Sequence, residues 1–200
     1  LTPPPGRAIG LDSLASIGAR VSTPGMRKGV FGGTFDPIHV GHLVIAEAAA
    51  EAFSLDRVLF VPCAHPPHKP AEGVAPVADR LEMVRLALEG NPRFAVCDLE
   101  ARRGGVSYTV DTLEALHRED PDAELYLILG ADMAPTMPTW RSIERVRQLA
   151  RPCVASREGY EGAPEGFFRI PTIGVSSSDL RSRIGAGRSI RYLVPEPARR

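Results

Sequence analysis

Lys28-Gly29-Val30-Phe31 runs directly into Gly32-Gly33-Thr34-Phe35-Asp36-Pro37-Ile38-His39-Val40-Gly41-His42, and the stretch 40–53 that follows is rich in Ala, Leu and Glu. A short β-branched and aromatic run, a glycine pair and a helix-forming stretch predict strand, loop and helix in that order. Glycines at a strand exit let a phosphate-bearing ligand approach the backbone, and the helix beyond offers unpaired N–H groups to an anion. The loop has neither the GxxxxGK spacing of one phosphate-binding loop nor the GxGxxG spacing of dinucleotide sites. In place of a lysine it carries two histidines three residues apart. Positions i and i+3 share a helix face, so His39 and His42 can reach the same phosphate near the positive helix end. Gly41 between them removes bulk. Each imidazole can donate an N–H to a phosphoryl oxygen and stabilise the charge that grows in a pentavalent transition state.

Outward from this loop the pattern repeats. Strand-like runs fall at 28–31, 57–61, 94–97, 125–129, 152–155 and 168–173, with helices expected at 40–53, 77–89, 109–118, 139–149 and 178–184. In the second helix Leu81, Val84 and Leu88 recur at i, i+3 and i+7 and predict its buried face. This alternation is the signature of an α/β domain with a doubly wound, mostly parallel sheet flanked by helices. Ligands in such sheets sit beyond the carboxyl ends of the strands.

The chain has 200 residues, 44% of them hydrophobic and 24% charged, which suits a single globular domain rather than a disordered or fibrous chain. Lys plus Arg (24) balance Asp plus Glu (24), so a duplex-coating nucleic-acid binder is disfavoured. No run approaches the ~20 apolar residues of a membrane span. Cys63, Cys97 and Cys153 are odd in number, dispersed and set in apolar segments, which fits reduced core thiols and a cytoplasmic protein. Residues 1–25 read as a leader, disordered or not native, with a start at Met26 and the domain over 26–200.

Near the far end stands Val175-Ser176-Ser177-Ser178-Asp179-Leu180-Arg181. Ser177 and Ser178 suit helix N-caps beside a phosphate, and Arg181 can bridge phosphate oxygens with its fork of donors. Together with the first loop, this segment resembles the two marks of the HxGH nucleotidylyltransferases, with Val, Ser and Leu where the second mark has Ile, Thr and Ile. The resemblance implies a Rossmann-like fold and transfer of a nucleoside monophosphate to a phosphate-bearing acceptor. Phe60-Val61-Pro62 through Pro66-Pro67-His68-Lys69, Arg80-Leu81-Glu82-Met83, Ser107-Tyr108-Thr109-Val110-Asp111-Thr112-Leu113, Leu129-Gly130-Ala131-Asp132, Trp140 and Ser189-Ile190-Arg191-Tyr192-Leu193-Val194-Pro195 look like the bacterial nicotinate-nucleotide adenylyltransferase family. The likeness spans 26–195.

Membership would imply that AMP passes from ATP to nicotinate mononucleotide, with Mg²⁺ held mainly by the ATP phosphates and no metal ligands from the protein. The resemblance implies an ATP site at Gly32, Gly33, Thr34, Phe35, Gly41, Gly130, Asp132, Ser177, Ser178 and Arg181, with His39 and His42 catalytic. It implies an acceptor site at His68, Lys69, Tyr108, Thr109 and Trp140. Asp132 suits ribose hydroxyls or a plain helix cap; Trp140 suits stacking on a pyridine or a place in the core. Arg157, in Arg157-Glu158-Gly159-Tyr160, has no assigned role. A relative acting on nicotinamide mononucleotide or phosphopantetheine, and a nucleotide-binding sensor without turnover, are the alternatives. The last twenty residues hold six arginines and one acid, Glu196, which fits a positive substrate mouth better than a nucleic-acid surface. Self-association is left open.

Overall fold

The structure is a computed structural model and describes residues 25–65, 73–156, 166–171 and 173–199. Six strands form one sheet: β1 (Arg27–Gly33), β2 (Arg57–Pro62), β3 (Phe94–Val96), β4 (Glu124–Gly130), β5 (Ala150–Ser156) and β6 (Phe167–Arg169). Their spatial order is β3-β2-β1-β4-β5-β6, and every pairing is parallel. All six expected strands are present.

The side chains alternate between two cores, as the two-residue period of a strand buried on both faces requires. Val30, Val61, Leu125, Leu127, Leu129 and Val154 face one cluster, while Phe31, Phe60, Tyr126, Ile128, Cys153 and Ala155 face the other. Helix α1 (Val40–Ala52) buries Ala46, Ala49 and Ala50, small side chains that bring the helix close to the second face. Helix α4 (Thr109–Glu119) packs Val110, Leu113 and Leu116 on the first.

Three elements depart from the sequence expectation. The helix expected over 139–149 begins only at Ile143, as α5 (Ile143–Leu149), after a 3-10 turn Ala134–Thr139, because Ser142 between them takes a left-handed conformation with φ 52°. A short helix α3 (Leu99–Arg103) precedes α4 and was not expected. Helix α2 (Val77–Ala87) buries Arg80, Val84 and Ala87 in its interior, with Leu88 buried at its end, whereas Leu81 is only half-buried; an arginine takes the place expected of a leucine.

The site is positioned by where the sheet parts. β1 pairs with β2 as far as Gly33↔Pro62, and β4 with β5 as far as Gly130↔Ala155, but β1 and β4 pair only to Val30↔Leu127. Beyond that point 31–33 and 128–130 diverge. This is the topological switch point, where chain crossovers leave in opposite directions and a crevice opens at the carboxyl ends.

Candidate active site

Gly32 and Gly33 end β1 for different reasons. Nothing lies within 4 Å of where a Gly32 Cβ would be, so its bare backbone borders open space. A Cβ on Gly33 would sit 2.9 Å from the ring of Phe35, which is 1% exposed and folds beneath the loop with a left-handed φ of 49°. Phe35 is therefore an anchor of the loop rather than a surface that a ligand can touch.

His39 is the N-cap of α1, extended at φ −147° and ψ 169°, and His42 is its third helical residue. The His39 backbone N–H donates to His42 Nδ1 at 3.2 Å. A neutral ring that accepts at Nδ1 carries its proton on Nε2, so this bond fixes the tautomer and leaves Nε2–H as the donor. The two rings stack with centroids 3.8 Å apart and planes 25° from parallel. His42 also meets Phe35 edge-on at 5.0 Å. Burial pushes His39 down to about 4, and burial, then the neighbouring His39, pushes His42 down to about 3. Both rings are thus neutral at pH 7. His39 Nδ1 is buried with no hydrogen-bond partner among the described residues.

The glycine between the histidines has a steric reason. A Cβ on Gly41 would lie 3.1 Å from the His39 ring and 3.2 Å from Val175 Cγ1. Less of the helix end is free than the sequence suggested: Val40 N–H donates to Leu193 O at 3.0 Å and His42 N–H to His39 O at 2.9 Å. Of the first three helical amides, Gly41 N–H has no such backbone partner among the described residues.

The second motif closes on the first. Helix α6 (Ser177–Gly185) is capped by Ser176, whose Oγ accepts from Asp179 N–H at 3.1 Å, and not by Ser177 or Ser178. Ser177 Oγ instead donates to Pro37 O at 2.9 Å. Arg181 Nη1 donates to Asp36 O at 2.6 Å and lies 3.8 Å from Asp36 Oδ2, while Nη2 reaches Ser178 Oγ at 3.3 Å. Arg181 therefore holds the histidine loop with one side of its fork and leaves its side chain 46% exposed.

Across the crevice, a Cβ on Gly130 would stand 2.5 Å from Asp132 Oδ1, so the Asp132 carboxylate folds back over the end of β4. Tyr108 caps α4, Thr109 opens it, and Tyr108 and Trp140 both pack on the cluster containing Leu129 and Met137. The Arg141 guanidinium sits 4.7 Å over the Tyr108 ring and Trp140 Nε1 donates to Thr136 Oγ1 at 3.2 Å. His68, Lys69 and Arg157 lie outside the described residues, as do residues 1–24. A separate hollow of about 350 Å³, lined by His117, Arg145, Arg147 and Arg151 among others, lies at the amino ends of β4 and β5, away from the crevice. Its Arg145 and Arg147 are already paired with Glu114 and Glu144.

Two residues that the sequence offered only as members of family segments, without a role, organise the site. Arg80 bonds the loop after β1 and the exit of β2, and Ser107 Oγ accepts Ala64 N–H at 3.0 Å. Arg80 sits four residues before Val84 on a buried helix face, the signal that could have exposed it. Among the described residues no three of His, Cys, Asp and Glu gather as metal ligands, and no helix is long and apolar enough to cross a membrane. Cys63, Cys97 and Cys153 are free thiols, and burial raises all three, Cys153 to about 12.

The chain that carries this strand-loop-helix turn matches, over residues 30–183, the family model described as cytidylyltransferase-like. The "Probable nicotinate-nucleotide adenylyltransferase" of Thermus thermophilus is 48% identical over 174 residues, covering 85% of this chain and 92% of that protein. The protein of the same name from Thermomicrobium roseum is 45% identical over 182 residues, covering 84% and 85%. The chain belongs to the cytidylyltransferase-like family and, within it, to the nicotinate-nucleotide adenylyltransferases, which are nucleotidyltransferases. The solved Plasmodium falciparum nicotinic acid mononucleotide adenylyltransferase complexed with NaAD superposes with a TM-score of 0.67 at 18% identity, covering 82% of this chain and 87% of that one. At that identity the superposition speaks for the fold.

Proposed function

We propose that this protein transfers the adenylyl group of ATP to nicotinate mononucleotide, releasing pyrophosphate and forming nicotinate adenine dinucleotide for NAD biosynthesis. An oxygen of the acceptor phosphate attacks the α-phosphorus, and the bond from that phosphorus to the bridging β-phosphate oxygen breaks. The acceptor phosphate is already ionised near pH 7, so no general base is needed, and catalysis rests on alignment and charge stabilisation. The observation that carries this reading is the stacked, neutral His39–His42 pair beside the open backbone of Gly32. A neutral Nε2–H donor whose tautomer is fixed can hydrogen-bond the phosphoryl oxygens as charge develops on them.

In this account Gly32, Gly33 and Thr34 border the adenylate, Asp132 accepts from ribose hydroxyls, and Ser177, Ser178 and Arg181 meet the triphosphate. Phe35 and Gly41 act from beneath, by packing. Tyr108, Thr109 and Trp140 take the pyridine, and His68 with Lys69 the acceptor phosphate. Mg²⁺ would be carried on triphosphate oxygens and water, as suits a site without a cluster of three ligating side chains among the described residues. The dispersed free thiols fit a cytoplasmic setting.

Pyrophosphate release from ATP tests the assignment, with nicotinate mononucleotide, nicotinamide mononucleotide and phosphopantetheine as matched acceptors. Selective turnover of the first is expected. Preference for another acceptor would reassign the substrate, and ATP binding without turnover of any would favour a sensor.

A further inference from the structure

Arg80 is 1% exposed and heads the fully buried side chains by volume. Its Nη1 donates to Thr34 O at 2.7 Å, its Nη2 to Cys63 O at 2.8 Å and Ala64 O at 3.3 Å, and its Nε to Ala75 O at 2.9 Å. All four partners are main-chain carbonyls, and none is a carboxylate. Among the described residues no carboxylate forms an ion pair with it. Burying a cation on neutral carbonyls is costly, and an apolar side chain filling the same volume would serve packing alone better.

The three segments tied by this one side chain are not neighbours in sequence. Thr34 belongs to the loop after β1, Cys63 and Ala64 to the chain leaving β2, and Ala75 to the approach to α2. A planar guanidinium with donors in fixed directions sets the separation of all three at once, which a lysine ammonium cannot do.

We propose that Arg80 is a positioning residue for the transfer. Resting on the donor and acceptor placement proposed above, it fixes the distance between the loop that holds the ATP α-phosphate and the β2 exit that leads to the acceptor phosphate. Its loss should spare each substrate's own binding and misalign the two. A displacement of 1 Å in such a reaction costs about a hundred-fold in rate.

The test uses the full chain carrying Arg80→Lys or Arg80→Met, with kcat, both KM values, an independent Kd for ATP and the thermal midpoint. The expected result for folded Arg80→Lys is an ATP Kd within about three-fold of wild type and a kcat at least about ten-fold lower. Wild-type kcat in folded Arg80→Lys would overturn the inference, as would a loss of rate that vanishes after correction for the unfolded fraction. If neither variant folds, Ser107→Ala decides: it loosens the same Ala64 segment without burying or removing a charge. It should lower kcat at unchanged ATP Kd, and a wild-type kcat there would overturn the inference. Absence of turnover in the wild-type protein would instead contradict the function itself, which keeps the two failures apart.

Discussion

The imidazoles of His39 and His42 lie face to face, 3.8 Å between centroids, and each has its pKa held well below the usual histidine value by burial. Two stacked rings at that distance cannot comfortably both be cations, and a helix N-terminus is the wrong end for either. The unfolded chain has no such constraint. Its histidines protonate near 6.5, so between that pH and about 4 the unfolded state binds more protons than the native one.

Stability should therefore rise with pH through this window and fall on acidification from 6.5. The loss is about 2 kcal/mol per histidine by pH 5. Urea unfolding at pH 7.5 and pH 5 measures it, with His39→Asn/His42→Asn as the control for carboxylate effects. The double variant should lose distinctly less stability over the same interval; an equal loss would mean that the rings are not held neutral.

Gly41→Ala separates stability from function. Alanine is better than glycine in a helix by about 1 kcal/mol, so the helix itself gains. The added methyl, however, meets the His39 ring at 3.1 Å and Val175 at 3.2 Å, and the ring must give way by a few tenths of an ångström. The expected outcome is a thermal midpoint within a few degrees of wild type and a kcat lower by about ten-fold or more. Unchanged turnover would show that the position of His39 is not critical.

Much of this arrangement was legible because it is local. The glycine pair, the histidine spacing and the alternating strands are fixed by nearest-neighbour chemistry, and the starts of α1 at Val40, α2 at Val77 and α4 at Thr109 agree with the expectation. What was not legible depends on segments far apart in sequence. Leu193 O takes the Val40 N–H across 153 positions, Arg181 spends donors on Asp36 across 145, and Arg80 is buried only because three loops offer it carbonyls. The hidden break at Ser142 is a backbone conformation that serine adopts rarely, so a helical pattern runs through it unmarked.

Arg181 joins the two motifs, so its removal should loosen the loop as well as remove a charge. Arg181→Met is expected to raise the ATP KM by about ten-fold and lower the thermal midpoint by a few degrees. Arg181→Lys should recover the KM only in part, since a single point donor cannot meet Asp36 O, Ser178 Oγ and a phosphate together. Complete recovery by lysine would mean that charge alone matters there. Steady-state kinetics and a melting curve on both variants measure these effects.

The most direct test is His42→Ala, assayed for single-turnover pyrophosphate release and, separately, for equilibrium binding of ATP. If the neutral Nε2–H acts on the phosphoryl group only as charge develops, the rate falls by about 10²–10³ while the ATP Kd stays within a few-fold. A variant that turns over at the wild-type rate, or that loses rate only in proportion to lost ATP affinity, would contradict the account.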